Sequence, residues 1–127
     1  MGLMPLKIDF HNHTAEDPAD KISYDAARLI DRAAELKFDA ISVTNHDIRT
    51  YNDSLASYAS RKGILLLPGM EAHFSGYHIL IINPPFAVQP AGRTFQDLAA
   101  LRSENTLIIA PHPYFPGIKS LGSETRT

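Results

Sequence analysis

LKIDFHNHT, residues 6–14, runs a short apolar segment straight into two histidines separated by one residue. Leu6 to Phe10 reads as a β-strand. Side chains two apart in an extended segment point the same way, so His11 and His13 can offer both imidazoles to one ion at about 2.0–2.1 Å. The same arrangement, an apolar strand with a polar side chain just past its end, recurs along the chain. DAISVT (39–44) precedes His46, the run Ile64 to Leu67 precedes Glu71, and TLIIA (106–110) precedes His112.

The segments between complete the pattern. Ile22, Ala26, Leu29, Ile30, Ala33 and Leu36 recur at helical spacing, which predicts a helix over 23–37 with Ser23 as N-cap and Asp25 in its first turn. A weaker helix is expected over 52–62, carrying Leu55, Tyr58 and Ala59 on one face and stopped by Gly63. Pro68 and Gly69 are expected to end the third strand. Glu71–Phe74 and Tyr77–Ile82 flank Ser75-Gly76 and predict a hairpin. A proline-bearing loop over 84–90, a helix marked by Phe95, Leu98, Ala99 and Leu101, and a last buried strand follow. Repeated βα units with strands apolar on both faces imply an α/β fold, a parallel sheet covered by helices. Active sites in such sheets gather at the carboxyl ends of the strands. His11, His13, His46, Glu71 and His112 would therefore share one rim.

Bulk composition narrows the chemistry. The 127 residues are 44% hydrophobic and 20% charged, the make-up of one globular domain spanning 1–127. With no cysteine, disulfide scaffolds, thiolate zinc sites and cysteine nucleophiles are excluded. A net charge of −2 without a basic block gives no surface suited to nucleic acid or anionic membrane. Neither a leader nor a membrane-length apolar run stands out, and a cytoplasmic location is expected.

A lone histidine is more often structural than a ligand. Four histidines and a carboxylate on one rim are another matter, because buried polar groups need partners. Glu71 has two oxygens with which to bridge two cations, and a pair of cations lowers the pKa of water and holds both oxygens of a displacement. On spacing alone His78, in YHILIIN, reads as a core histidine, and His73 as a solvent-facing or supporting neighbour of Glu71. Asp9 and Asp47 are placed to hydrogen-bond the far nitrogen of an adjacent imidazole and fix its tautomer.

IDFHNHT (8–14), ISVTNHD (41–47), PGMEAHF (68–74), YHILI (77–81) and IIAPHP (108–113), in that order, resemble the successive motifs of the PHP (polymerase and histidinol phosphatase) superfamily. The resemblance implies the N-terminal part of a distorted (β/α)7 TIM-like barrel, with two or three divalent transition metals (zinc, manganese or iron) and hydrolysis of phosphate esters. It implies that His11, His13 and Glu71 hold a first metal, that Glu71 bridges to a second completed by His78 and His112, and that His46 serves a third with Asp17, for which Glu16 is the competitor. His11, His13, Glu71 and His112 are the residues expected to carry the catalysis.

Two departures stand out. Asn45 occupies a place where the family usually has aspartate, and the family's late Asp-x-His motif has no counterpart after Pro113. The chain is thus expected to be a fragment, a short form that completes its barrel by association, or a catalytically incomplete metal- or anion-binding relative. An open half-barrel exposes edges and apolar surface, so a homo-oligomer or tight loop packing is expected. An amidohydrolase-type enzyme is the minor alternative; its mid-barrel lysine is missing, and Glu71 holds the bridging place. The expected substrate is a small phosphorylated molecule, which Arg49 and Lys119 could reach from rim loops.

Overall fold

A computed structural model describes residues 2–89 and 92–116. Lys119 and the remainder of the Gly/Ser/Thr-rich tail lie outside the described residues. The elements run β1 (Ile8–Asp9), α1 (Ala26–Glu35), β2 (Ala40–Val43), α2 (Asp53–Arg61), β3 (Leu65–Phe74), β4 (Tyr77–Ile82), α3 (Phe95–Ala100) and β5 (Leu107–Ile109). The strands form one sheet in chain order, β1-β2-β3-β4-β5, curled into a half-barrel. β1, β2 and β3 are mutually parallel; β4 runs antiparallel to both β3 and β5. The expected α/β class holds, and the hairpin makes the sheet mixed rather than purely parallel.

Local chemistry moves some boundaries. α1 starts at Ala26, not Ser23: Asp25 is the N-cap, its carboxylate accepting from the Arg28 N–H at 2.9 Å. Glu16 accepts from the Ala26 N–H at 3.2 Å, so a second free amide of the first turn is satisfied from the preceding loop. Asn52 caps α2 in the same way, and Gly63, at φ +79°, takes the left-handed turn that ends it.

β3 does not stop at Pro68-Gly69. Over Leu65–Pro68 it pairs with β2, and over Gly69–Phe74 with β4, so the missing proline N–H falls where the strand changes partner. The Pro68 carbonyl accepts from Asn83 N–H at 2.7 Å, joining the end of β4 to the change-over. Gly69 is needed there for a different reason. A Cβ at this position would overlap Ser42 Oγ and lie 3.1 Å from Thr44 Cγ2.

Two apolar clusters cover the convex face. Ile30 and Ala33 of α1 and Ala59 of α2 pack on Ile41, Val43 and Leu66; Leu101, after α3, packs on Met70, Phe74, Ile79 and Ile81. The strand register puts Ile8, Leu65, Leu107 and Ile109 on the opposite, concave face, where they are 50%, 59%, 50% and 37% exposed. The expectation of strands buried on both faces holds for β2 and for Ile79–Ile82 of β4 and fails at β1, at Leu65 and in β5, where the open side of the half-barrel leaves the concave face accessible.

Ser42 Oγ is itself bonded to the Leu67 carbonyl at 2.9 Å and fully buried, so it has no room to yield. Gly69→Ala is expected to destabilise the fold by about 1–3 kcal/mol, as overpacking does. The Ser42→Ala/Gly69→Ala double variant should recover part of that loss, because the overlapping oxygen is gone. Chemical denaturation of the three proteins measures both.

Candidate metal centre

Two asparagines aim the histidines. Asn12 turns away from the rim: its side-chain amide donates to the carbonyls of Asp9 (3.2 Å) and Ser42 (3.0 Å), and its backbone pairs with Thr44. His11 and His13, on either side, are left facing the rim with their Nε2 atoms 3.3 Å apart. Asn45 is fully buried; its oxygen accepts from the Thr14 N–H at 2.8 Å and its nitrogen donates to the hydroxyls of Thr14 and Thr50. The residue that departs from the expected aspartate thus clamps the β1 loop to the β2 loop. Beyond β2 the backbone stays beside β3 as far as His46, which pairs with Glu71.

All six histidines of the chain meet here. Five approach the carboxylate of Glu71, which is 2% exposed. Around Oε1 stand His11 Nε2 at 2.7 Å and the Nε2 atoms of His13 and His112 at 3.7 Å each. Around Oε2 stand His46 Nε2 at 2.5 Å and His78 Nδ1 at 3.0 Å. The sixth, His73, packs edge-on against His78 with ring centroids 4.4 Å apart. His112 sits in the positive-φ region (φ 32°), and its Nδ1 is buried without a hydrogen-bond partner among the described residues.

This grouping differs in part from the expected ligand sets. His11 and His13 do share one oxygen of Glu71 and His46 joins His78 at the other, while His112 points Nε2 at the first oxygen from a ring nearer His78 than His11, 5.4 against 6.2 Å between centroids. Asp17, 6% exposed, lies behind His13 and His46, whereas Glu16 is committed to the start of α1. Asp9 and Asp47 do not hold the rings expected of them. Asp9 accepts the backbone N–H of His11; Asp47 accepts from His73, through its ring at 2.5 Å and its backbone at 3.0 Å, and pairs with buried Arg93. Arg49 lies over the Tyr51 ring instead of entering the rim cluster. Sequence reasoning passed over Asp20, half-exposed at the mouth of the cleft, and Arg93, which carries no motif to mark it.

An imidazole lone pair and a carboxylate oxygen repel at 2.5–3.0 Å, so each close contact calls for a proton or a cation between the atoms. The metal-free ionisation follows. Burial opposes charge on Glu71, yet the rings of His11 and His13 and the charge of His46 outweigh it and hold the carboxyl well below the usual range. Glu71, opposed by burial and assisted by Asp17, raises His13 to about 9. His78 shifts the other way, chiefly through burial, and its neutral form is favoured.

The donor set is nitrogen and oxygen only, five imidazoles around one carboxylate, which is compatible with metal binding and excludes thiolate-bound clusters. Three groups among the described residues bring ligand atoms close enough for one ion: His11, His13 and Glu71; His46, Glu71 and His78; and His13, Asp17, Asp20 and His46.

The chain shares its fold with hydrolases. It superposes on an amidohydrolase from Chromobacterium violaceum, a structure with bound sulfate and no metal, with a TM-score of 0.53 and 27% identity over 75% of this chain and 32% of that one. A candidate metal-dependent phosphoesterase from Bifidobacterium adolescentis superposes with a TM-score of 0.51 and 19% identity, over 67% of this chain and 30% of that one. The chain spans about a third of the length of either. No family model and no curated protein sequence matches it. Among the described residues no helix is long and apolar enough to cross a membrane.

Since His13 is raised from 6.5 to about 9, its protonation stabilises the metal-free fold fully below pH 6.5, and that contribution is lost as pH rises through about 9. Metal-free protein held in chelator should melt at progressively lower temperature across this window. With zinc present the trend should be opposed, because a metal competes with the proton for the same nitrogen. A melting temperature in chelator that is flat across the window would contradict the assignment.

Proposed function

We propose that the chain supplies the metal centre of a PHP-type phosphoesterase, a metal-dependent hydrolase of small phosphate esters. The observation that carries this reading is the convergence of five imidazoles on the two oxygens of one buried carboxylate. His11, His13 and His112 would hold one ion at Oε1 of Glu71, and His46 and His78 a second at Oε2. Zinc, manganese or iron held there would supply Lewis acidity, lowering the pKa of water and neutralising phosphoryl charge.

The chain's own residues bind and orient. Asn12 and Asn45 fix the loops from which the imidazoles project, so the ligand geometry exists before substrate arrives. Neutral imidazoles around a single carboxylate leave a loaded centre with net positive charge, suited to an anionic ester in a chain that has no basic surface. The rim cleft, open to solvent and bordered by Asp20 and Phe115, admits a small substrate. Hydrolysis of an amide is the second reading, favoured by the 27% identity with the amidohydrolase.

Metal analysis of purified protein, followed by assays on an aryl phosphate and an aryl amide with added manganese, separates the readings. The phosphate should be cleaved. Glu71→Ala should lose both ions, whereas His11→Ala should weaken one, each lowering turnover by about 100-fold or more, beyond what a supporting residue costs. Cleavage of the amide alone would favour the second reading. Folded protein that binds no transition metal would refute both.

A further inference from the structure

We infer that Asp17 is a positioning residue that binds no ion itself: one buried carboxylate holds the Nδ1 atoms of His13 and His46, and so presents the Nε2 atom of each to opposite sides of Glu71. The inference rests on the metal-hydrolase reading and departs from the ligand role that the family resemblance implied for Asp17.

Three observations carry it. The rings of His13 and His46 are stacked, with centroids 4.5 Å apart and planes 21° from parallel, and both direct Nδ1 at Asp17 Oδ2, at 2.7 and 2.9 Å. Their Nε2 atoms face Glu71, that of His13 towards Oε1 and that of His46 towards Oε2. Secondly, the Asp17 carboxylate is already saturated. Backbone N–H groups of Ala19 (2.8 Å) and Asp20 (3.1 Å) donate to Oδ1, and that of His46 (3.0 Å) to Oδ2. Together with the two imidazoles these make five donors on a group that offers about four lone-pair sites. Thirdly, its side chain is wholly buried. With both rings donating from Nδ1, no lone pair of the carboxylate remains free for an ion.

A carboxylate hydrogen-bonded to the far nitrogen of a ligating imidazole fixes the tautomer and strengthens the ligand. Here a single carboxylate does so for one ligand from each side of Glu71. Asp17 therefore couples the two ion sites, and its removal should weaken both, although it touches neither ion.

The rival arrangement is explicit. Asp20 Oδ2 lies 4.0 and 3.7 Å from the same two Nδ1 atoms. An ion enclosed by His13, Asp17, Asp20 and His46 would be bound through Nδ1.

Histidine NMR on isotope-labelled protein distinguishes the two. In metal-free protein, under conditions where the rings are neutral, both should carry the proton on Nδ1, the atom that faces Asp17. In protein loaded with an NMR-active cadmium isotope, both should couple to the metal through Nε2. Protonation at Nε2, or coupling through Nδ1, overturns the inference. Zinc titration of folded Asp17→Ala should show both ions weakened by about 10–100-fold, whereas Asp20→Ala should leave the tautomers unchanged. A loss confined to one ion overturns the coupling. Should Asp17→Ala fail to fold, the wild-type tautomers still decide. Wild-type protein that takes up no cadmium refutes the hydrolase reading, while the metal-free tautomers continue to judge Asp17.

Discussion

Glu71 is a carboxylate shielded from bulk water by the rings around it, and the arrangement around it follows from that burial. A charged group in such a place must be matched by positive charge at close range or be neutralised. The protein supplies no lysine or arginine within ion-pair distance of it among the described residues; it supplies imidazoles. Those are neutral or cationic according to whether a proton is present. The raised His13 and the depressed Glu71 are two views of one demand, that cationic character occupy the space between them.

The scaffold meets the demand by dividing labour between neighbours in sequence. Of the residues His11, Asn12 and His13, the outer two face the rim while the middle one ties the loop to β2. Asn45 and His46 divide in the same way, one buried in hydrogen bonds and the other at the carboxylate. Glu71 sits on a strand that pairs with β4 across from it, while its amide and carbonyl bond the loop after β2. Both sides of the half-barrel thus brace the one residue that both groups of imidazoles approach.

Much of this could be read in the amino-acid order. Apolar strands followed at once by histidine or glutamate placed His11, His13, His46, Glu71 and His112 on one rim, and the structure brings all five together. His78 could not be found that way: an isolated histidine in an apolar strand reads as core, and only cross-strand pairing puts it beside Glu71. The aspartates were misjudged because adjacency in sequence is a poor guide to side-chain partners across loops. Asp47 reaches His73, a residue on another strand, and Asp17 reaches His46 29 positions away. The continuation of β3 through Pro68 and Gly69 was hidden because both residues usually mark an end. Here the change of partner strand absorbs the absent donor, and the tight contact with Ser42 requires the absent side chain.

The strand order bears on how the site is made. Each strand lies beside the one before it, so each loop finds its support on the next strand, although His11 meets Glu71 60 residues further on. The β1 loop is held by β2, the β2 loop by β3, and β3 by its own hairpin. No strand pairing among the described residues joins positions more than 32 apart, and pairing can proceed as the chain leaves the ribosome. By the time Ile82 has been synthesised, four of the five imidazoles and the carboxylate already have their supports. Only His112 arrives later, in the loop after the last strand.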